Sequence, residues 1–294
     1  MDQGATRIGF IGLGVMGGPM AAHLVTKGFP VAVYNRSPEK ITAWLASHDG
    51  EAAASPGELA IKSKHLVACV GNDDDLREIA IGPQGAIANM TPGSLFIDHS
   101  TTSADVAREI AGIAAEHDVH FMDAPVSGGE AGAQSGALTV MCGGTQAAFE
   151  LAKPIIECYA KAYNLMGPAG AGQLTKMVNQ ICIAGLLQGL SEGLDFGMRA
   201  GLDMEQVIDV ISKGAAQSWQ MDNRAKTMWR DEFDFGFAVD LMRKDLGIVM
   251  GEGKKLHAEL AVTKLVDDYY ADLQEQGHRR LDTSCLIKRL RDRG

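Results

Sequence analysis

The most constraining feature of the chain lies near its start. A short apolar run, Ile8-Gly9-Phe10-Ile11, leads straight into Gly12-Leu13-Gly14-Val15-Met16-Gly17, and a helical pattern follows over residues 16–27. Glycines at that spacing, between a strand and a helix, each answer a steric demand. Gly12 permits the tight turn, Gly14 lets backbone approach a pyrophosphate, and Gly17 lets helix and strand pack closely. The helix start then presents N–H groups and partial positive charge to phosphates. The segment predicts a dinucleotide site built from Gly12, Leu13, Gly14, Val15, Met16 and Gly17.

Apolar runs recur at residues 31–34, 65–70, 94–98 and 119–123, with helical patterns between them at 38–46 and 103–117. None sustains a polar–apolar alternation, so the strands are expected to form a parallel sheet covered on both faces. A last strand candidate covers 162–166. From about Gly172 the patterns turn helical and long, at 173–200, 204–212, 238–255, 258–276 and 283–291. The first of these is apolar around much of its circumference, as expected of a helix between domains or in a subunit interface. Gly185, Gly189, Gly193 and Gly197 lie four apart along it and make a smooth ridge. A length of 294 residues suggests about two domains. The fold class read from this is α/β: a Rossmann-type parallel-sheet domain at 1–167 that binds the dinucleotide, then an all-helical domain at 168–294 for substrate and dimerisation. A homodimer or homotetramer is expected.

The second strand ends in Asn35-Arg36-Ser37, where NAD binders place an acid for the ribose hydroxyls. Asn35 carries no charge to repel a 2′-phosphate, and Arg36 and Ser37 can bind one. This favours NADP over NAD; the other reading is a surface arginine beside a tolerant NAD site. Asp123-Ala124-Pro125-Val126-Ser127-Gly128-Gly129 ends the strand at 119–123 with a hydroxyl and successive N–H groups, which is either a cradle for a carboxylate or a turn. Lys176 shares a helix face with Gly172, Gln173, Asn179 and Gln180. A charge on an otherwise apolar helix is costly unless paired or useful. Lys176 is therefore a catalytic group or half of an ordinary ion pair.

Composition excludes several classes. A net charge of −10 disfavours nucleic acid as a partner. The one basic stretch, Lys288-Arg289-x-Arg291-x-Arg293, reads as a solvated last helix. Five widely spaced cysteines with no Cys-x-x-Cys pair argue against a disulfide framework and for a reducing compartment. Met1-Asp2-Gln3-Gly4 lacks the pattern of a signal peptide, and no apolar run is long enough to span a membrane. A cytoplasmic protein is expected. His117 and His120 have no third partner in view, so no metal is expected. Tyr-x3-Lys is absent, which removes the chemistry of short-chain dehydrogenases.

Four motifs in order then resemble one family, the β-hydroxyacid dehydrogenases, over nearly the whole chain. Residues 12–20 resemble its opening signature, 123–129 its substrate loop, and 170–180 its lysine motif. Phe237-x3-Leu241-x2-Lys244-Asp245-Leu246 resembles its C-terminal motif. The resemblance implies hydride transfer between NADP(H) and a small carboxylate-bearing hydroxy acid or semialdehyde acid, with Lys176 passing the proton. It also implies that Ser127, Gly128 and Gly129 hold the carboxylate, that Asn179 orients substrate, and that Phe237 and Asp245 line the closed cleft. Val70, Thr101 and Lys244 match cofactor positions. Two other readings share the fold: an imine-reductase-like enzyme and a non-catalytic NADP-binding protein. Both are marked by loss of the lysine, and Lys176 is present.

Overall fold

A computed structural model describes residues 6–291; Met1 to Gly4, and Arg293 of the basic stretch, lie outside that range. The chain divides into two units, Met1–Lys176 and Met177–Gly294.

The first unit alternates strands and helices. They run β1 (Ile8–Ile11), α1 (Gly17–Thr26), β2 (Val31–Tyr34), α2 (Pro38–Leu45), β3 (Glu51–Ala52), α3 (Pro56–Lys62), β4 (His65–Ala68), α4 (Asp73–Ile81), β5 (Leu95–Asp98), α5 (Ala104–Glu116) and β6 (His120–Asp123). There follow β7 (Val126–Ser127), α6 (Gly129–Gln134), β8 (Leu138–Gly144), α7 (Gln146–Ile156) and β9 (Ala160–Gly167). Helix α8 (Ala171–Arg199) begins in this unit and continues into the second, which adds α9 (Met204–Ile211), α10 (Trp219–Arg230), α11 (Val239–Leu256), α12 (Ala261–Glu275) and α13 (Leu286–Arg291).

Strands β3-β2-β1-β4-β5-β6 are parallel, in the order that right-handed crossovers produce. The register is flush: Ile11 pairs with Tyr34 and Ala68, Ala68 with Asp98, and Asp98 with Asp123. Side chains of each strand divide between two faces. Ile8, Phe10, Val31, Val33 and Ile97 pack one way, toward α1 and α7; Ile11, Ala32, Leu66 and Phe96 pack the other, toward α3, α4 and α5. Burial on both faces explains the runs without alternation.

Two strands, β8 and β9, depart from the expected parallel sheet. β8 runs antiparallel to β6 and β7, which hold a single register along it: Met122 with Gly144, Asp123 with Gly143, Val126 with Val140, Ser127 with Thr139. The hairpin-like return through α6 is too short for a parallel crossover. β9 pairs on the far side of β8.

In the second unit α8 buries Ala184, Leu187, Leu190 and Leu194 against Met204, Met221, Val239, Leu246, Val266 and Tyr270. The helix is not buried all round: Val178, Leu186 and Phe196 are exposed, Phe196 by 73%. Helix α10 has no counterpart in the sequence reading, since its core face is only Met221, Ala225 and Met228 in a polar segment. The basic residues of α13 are held by acids: Lys288 and Arg291 by Asp231, and Arg289 by Asp272. Among the described residues no helix is long and apolar enough to cross a membrane, and no group of His, Cys, Asp and Glu is placed to hold a metal ion.

Two core histidines set an acid limit. His65 Nδ1 accepts from Leu95 N–H (3.0 Å), and His99 bridges the Ala124 carbonyl (2.6 Å) and the Tyr159 hydroxyl (2.8 Å). Burial pushes both down to about 4. A depressed native pKa gives stability that is present above about 6.5 and lost as pH falls toward 4. Each histidine should contribute about 2 kcal/mol of the difference in unfolding free energy between pH 7.5 and pH 5. Asp123, raised to about 6 by burial, acts in the opposite sense over part of that window. Urea denaturation of His99→Asn at the two pH values should show that difference reduced by about 2 kcal/mol; an unchanged difference would contradict the assignment.

Candidate active site

The flush register places the C-terminal ends of β1, β2, β4, β5 and β6 on one edge, where open α/β sheets take ligands. At β1 the chain turns at Gly12, whose φ of +95° and close approach to the Cys69 carbonyl (a Cβ would lie 2.2 Å from the oxygen) admit only glycine. Gly17 opens α1 so tightly against Gly12 that a Cβ would sit 1.9 Å from its carbonyl oxygen. Gly14 instead faces open space. Helix α1 has no side-chain cap and no acid in its first turn, a start whose dipole suits an anion; Gly18 N–H is already given to the Gly14 carbonyl (2.9 Å), and Pro19 has no N–H to give. Leu13 is buried beneath the loop and Val15 is exposed above it.

Asn35 has a structural task in this loop. Its Oδ1 accepts from Leu13 N–H (2.9 Å), and its Nδ2 donates to the Ser37 carbonyl (3.1 Å). Ser37 stands at the start of α2, before Pro38. Arg36 projects outward, with its side chain 84% exposed, and pairs with Asp75 of α4 (2.8 Å). Asp75 was not singled out from the sequence, because it is one acid in the run Asp73-Asp74-Asp75 that opens α4. Val70 N–H donates to Ser100 Oγ (2.8 Å), which ties the loop after β4 to the loop holding Thr101 after β5.

Ser127 owes its place to β8. The chain leaves β6 at Asp123, passes Ala124 and Pro125, and rejoins the same antiparallel ladder at Val126. Ser127 is half-buried at its end, and Gly128 and Gly129 turn with φ of +130° and +61°. Positive φ at two successive positions is a backbone that glycine adopts at no steric cost.

Lys176 lies in the same unit, on the second turn of α8, and is 7% exposed. The helix start is pinned twice. Asp123 accepts from Gly170 N–H (2.7 Å) and Gln173 N–H (2.9 Å). The Gln173 amide accepts from Thr102 N–H (3.1 Å) and donates to the Ser100 carbonyl (2.8 Å). Burial raises the Asp123 carboxyl to about 6 against the lowering effect of those N–H groups. Cys142 beside it is pushed up to about 12 by burial and by Asp123, and so stays a thiol. Sequence alone did not single out the Asp123 carboxylate as a cap. Its signal was present in Gly143 and Gly172, where a Cβ would meet the Asp123 oxygens at 2.5 and 2.7 Å.

The remaining candidates lie in the second unit. Asn179 Nδ2 donates to Gln180 Oε1 (2.8 Å), and Gln180 Nε2 donates to Asp245 Oδ2 (2.7 Å). Lys244 pairs with Asp245 Oδ1 (3.2 Å), and Asp245 is buried. Phe237 is half-buried against the helical core, with its N–H donating to Asp282 (2.8 Å).

Comparison with known proteins agrees over the full length. Residues 7–167 match the NAD binding domain of 6-phosphogluconate dehydrogenase, and residues 170–290 match the NAD-binding domain of NADP-dependent 3-hydroxyisobutyrate dehydrogenase. An uncharacterized oxidoreductase of Shewanella frigidimarina is 55% identical over 97% of this chain and 98% of its own length. A 2-(hydroxymethyl)glutarate dehydrogenase of Eubacterium barkeri is 32% identical over 96% of this chain and 94% of its own. The structure of a Mycobacterium tuberculosis 3-hydroxyisobutyrate dehydrogenase with L-serine superposes with a TM-score of 0.89 at 30% identity, covering 97% of this chain and 99% of that one.

Proposed function

Because the chain belongs to the β-hydroxyacid dehydrogenase family, and is thus an NAD(P)-dependent oxidoreductase, we propose that it reduces a small semialdehyde acid, or oxidises the matching β-hydroxy acid, with NADP(H) and with Lys176 as acid and base. The observation that carries this reading is the buried Lys176 on a helix start pinned to the sheet edge that also holds the glycine loop and Ser127. The L-serine of the mycobacterial structure is itself a 3-hydroxy acid, which supports the substrate class. The imine-reductase-like and non-catalytic readings are not favoured: the relatives at 30% identity or more cited above with a named substrate are dehydrogenases, and Lys176 is in place.

The glycine loop suits a dinucleotide. Gly14 leaves room for a pyrophosphate over the uncapped start of α1, Val70 and Thr101 border it from the neighbouring strand ends, and Asn35 holds the loop in shape. A reduced nicotinamide bound there supplies the hydride. The Ser127 hydroxyl and the Gly128 and Gly129 N–H groups hold the substrate carboxylate, which fixes the carbonyl carbon in place. Lys176 delivers a proton to the carbonyl oxygen as negative charge develops on it; in oxidation its neutral amine takes the hydroxyl proton. Asn179, Phe237 and Asp245 are assigned to substrate and Lys244 to cofactor.

Arg36 carries the preference for NADP. Its pair with Asp75 is exposed and so contributes at most about 1 kcal/mol, less than a charge-assisted bond to a 2′-phosphate. The exposed Val178, Leu186 and Phe196 on α8, with Gly189 and Gly193 open beside them, support a homo-oligomer built on the helical unit, in a cytoplasmic protein.

Three measurements check this reading. Lys176→Ala should lower kcat by about 10²- to 10⁴-fold while NADPH binding survives; retention of half the activity would overturn the lysine assignment. Arg36→Ala should raise the NADPH Kd by about 10- to 100-fold and leave NADH unchanged, whereas equal Kd values for both cofactors in the unaltered protein would remove the NADP preference. Light scattering at micromolar concentration should give at least a dimer, and a monomer mass would refute the assembly.

A further inference from the structure

We propose that Asp123 is the positioning residue for Lys176, its carboxylate capping α8 from outside the helix and setting the turn that carries the lysine. The inference rests on the reading of Lys176 given above. The geometry is specific. One oxygen receives Gly170 N–H at 2.7 Å and the other Gln173 N–H at 2.9 Å. Two donors from one helix start hold a single carboxylate, which is the charge the positive end of a helix favours. Gly143 and Gly172 close around it so tightly that a Cβ on either would lie within 2.8 Å of the oxygens. The side chain has one place to be.

That place is shared by both halves of the reacting site. Ser127 is four extended residues along the same ladder, about 13 Å on. Lys176 is three residues past Gln173, about 4.5 Å along α8. Asp123 thus ties the helix that carries the proton donor to the strand that carries the carboxylate cradle. The Gln173 amide, bonded to the Thr102 N–H and the Ser100 carbonyl, ties the same turn to the loop holding Thr101. A shift of the helix start would move Lys176 against all of them, and a misplacement of about 1 Å can cost 10²-fold in rate.

Asp123 touches neither substrate nor cofactor in this scheme. The titratable groups on the elements adjoining it are Asp98, its register partner on β5, and Cys142 on β8; Arg108 of α5 lies by Gly170 (Nε 3.1 Å from a Cβ placed there), and α8 carries Lys176. The buried face of α7 is apolar. His99, next after β5, is pushed down to about 4 and is uncharged near neutrality. With the carboxyl raised to about 6, protonation near that pH replaces an acceptor with a hydroxyl facing an N–H donor.

The test is Asp123→Asn in the full chain, with NADPH and the best aldehyde acid, beside Lys176→Ala and the double variant. Asp123→Asn should lower kcat by about 10- to 50-fold, with KM and the NADPH Kd changed less than about threefold. The unaltered protein should show a kcat limb near pH 6 that the variant lacks. In the Lys176→Ala background the Asp123 substitution should cost no further rate, since a residue acting through another adds nothing once that one is gone. An additive loss in the double variant, or an Asp123→Asn protein with normal kcat and an intact limb, would overturn the proposal while leaving the lysine assignment standing. A Lys176→Ala protein that keeps its activity would instead remove the lysine reading. If Asp123→Asn does not fold, the unaltered protein decides: kcat flat from pH 5 to 8 refutes the proposal. A limb near pH 6 with unchanged circular dichroism and constant KM supports it.

Discussion

Five parallel strands end at one level, at Ile11, Tyr34, Ala68, Asp98 and Asp123, and the glycine loop, the Asn35–Ser37 segment, the loops holding Val70 and Thr101 and the turn at Ser127 all leave from that edge. The flush register comes from burial on two faces. A slip of one residue would turn each strand's side chains from one core to the other. Phe10 and Ile11, adjacent in sequence, belong to opposite cores, so neither can move without exposing about a whole large side chain, roughly 1.5–3 kcal/mol. The site inherits its alignment from that packing rather than from contacts among its own residues.

Polar groups at this edge are arranged to spend little energy on one another. The start of α1 has neither cap nor acid, while the starts of α3, α4 and α5 are capped by Ser55, Asn72 and Ser103. The start of α8 is capped from another strand, by Asp123. The helix that follows the glycines starts without a cap, and the helix that carries Lys176 has N–H groups at its start satisfied by a buried carboxylate. Both features follow one rule, that orphan donors at a helix start must find an acceptor, inside the protein or in a ligand.

Much of the fold could be read in one dimension. Short apolar runs without alternation announced buried parallel strands, and the glycine spacing announced the turn at β1. The elements that escaped reading were those with weak local signals. β3 has two residues, and α10 is polar apart from Met221, Ala225 and Met228. β8 was hidden by the two glycines at its C-terminal end, where Gly143 makes room for Asp123 and Gly144 packs against Phe121.

By itself the sequence determined the chemistry on offer: glycines spaced for a tight turn and close approach, a lysine on an apolar helix, a serine followed by two glycines, and an asparagine in the place of the usual acid with an arginine after it. These are properties of residue type and near spacing, which act over a few bonds. Only the tertiary structure decided which groups engage each other. Arg36 meets Asp75 across 39 residues, Asp123 meets Gly170 across 47, and Gln173 meets Ser100 across 73. Such pairings depend on strand order and register, and these are settled by burial summed over the whole sheet, a quantity that no single segment of the chain contains.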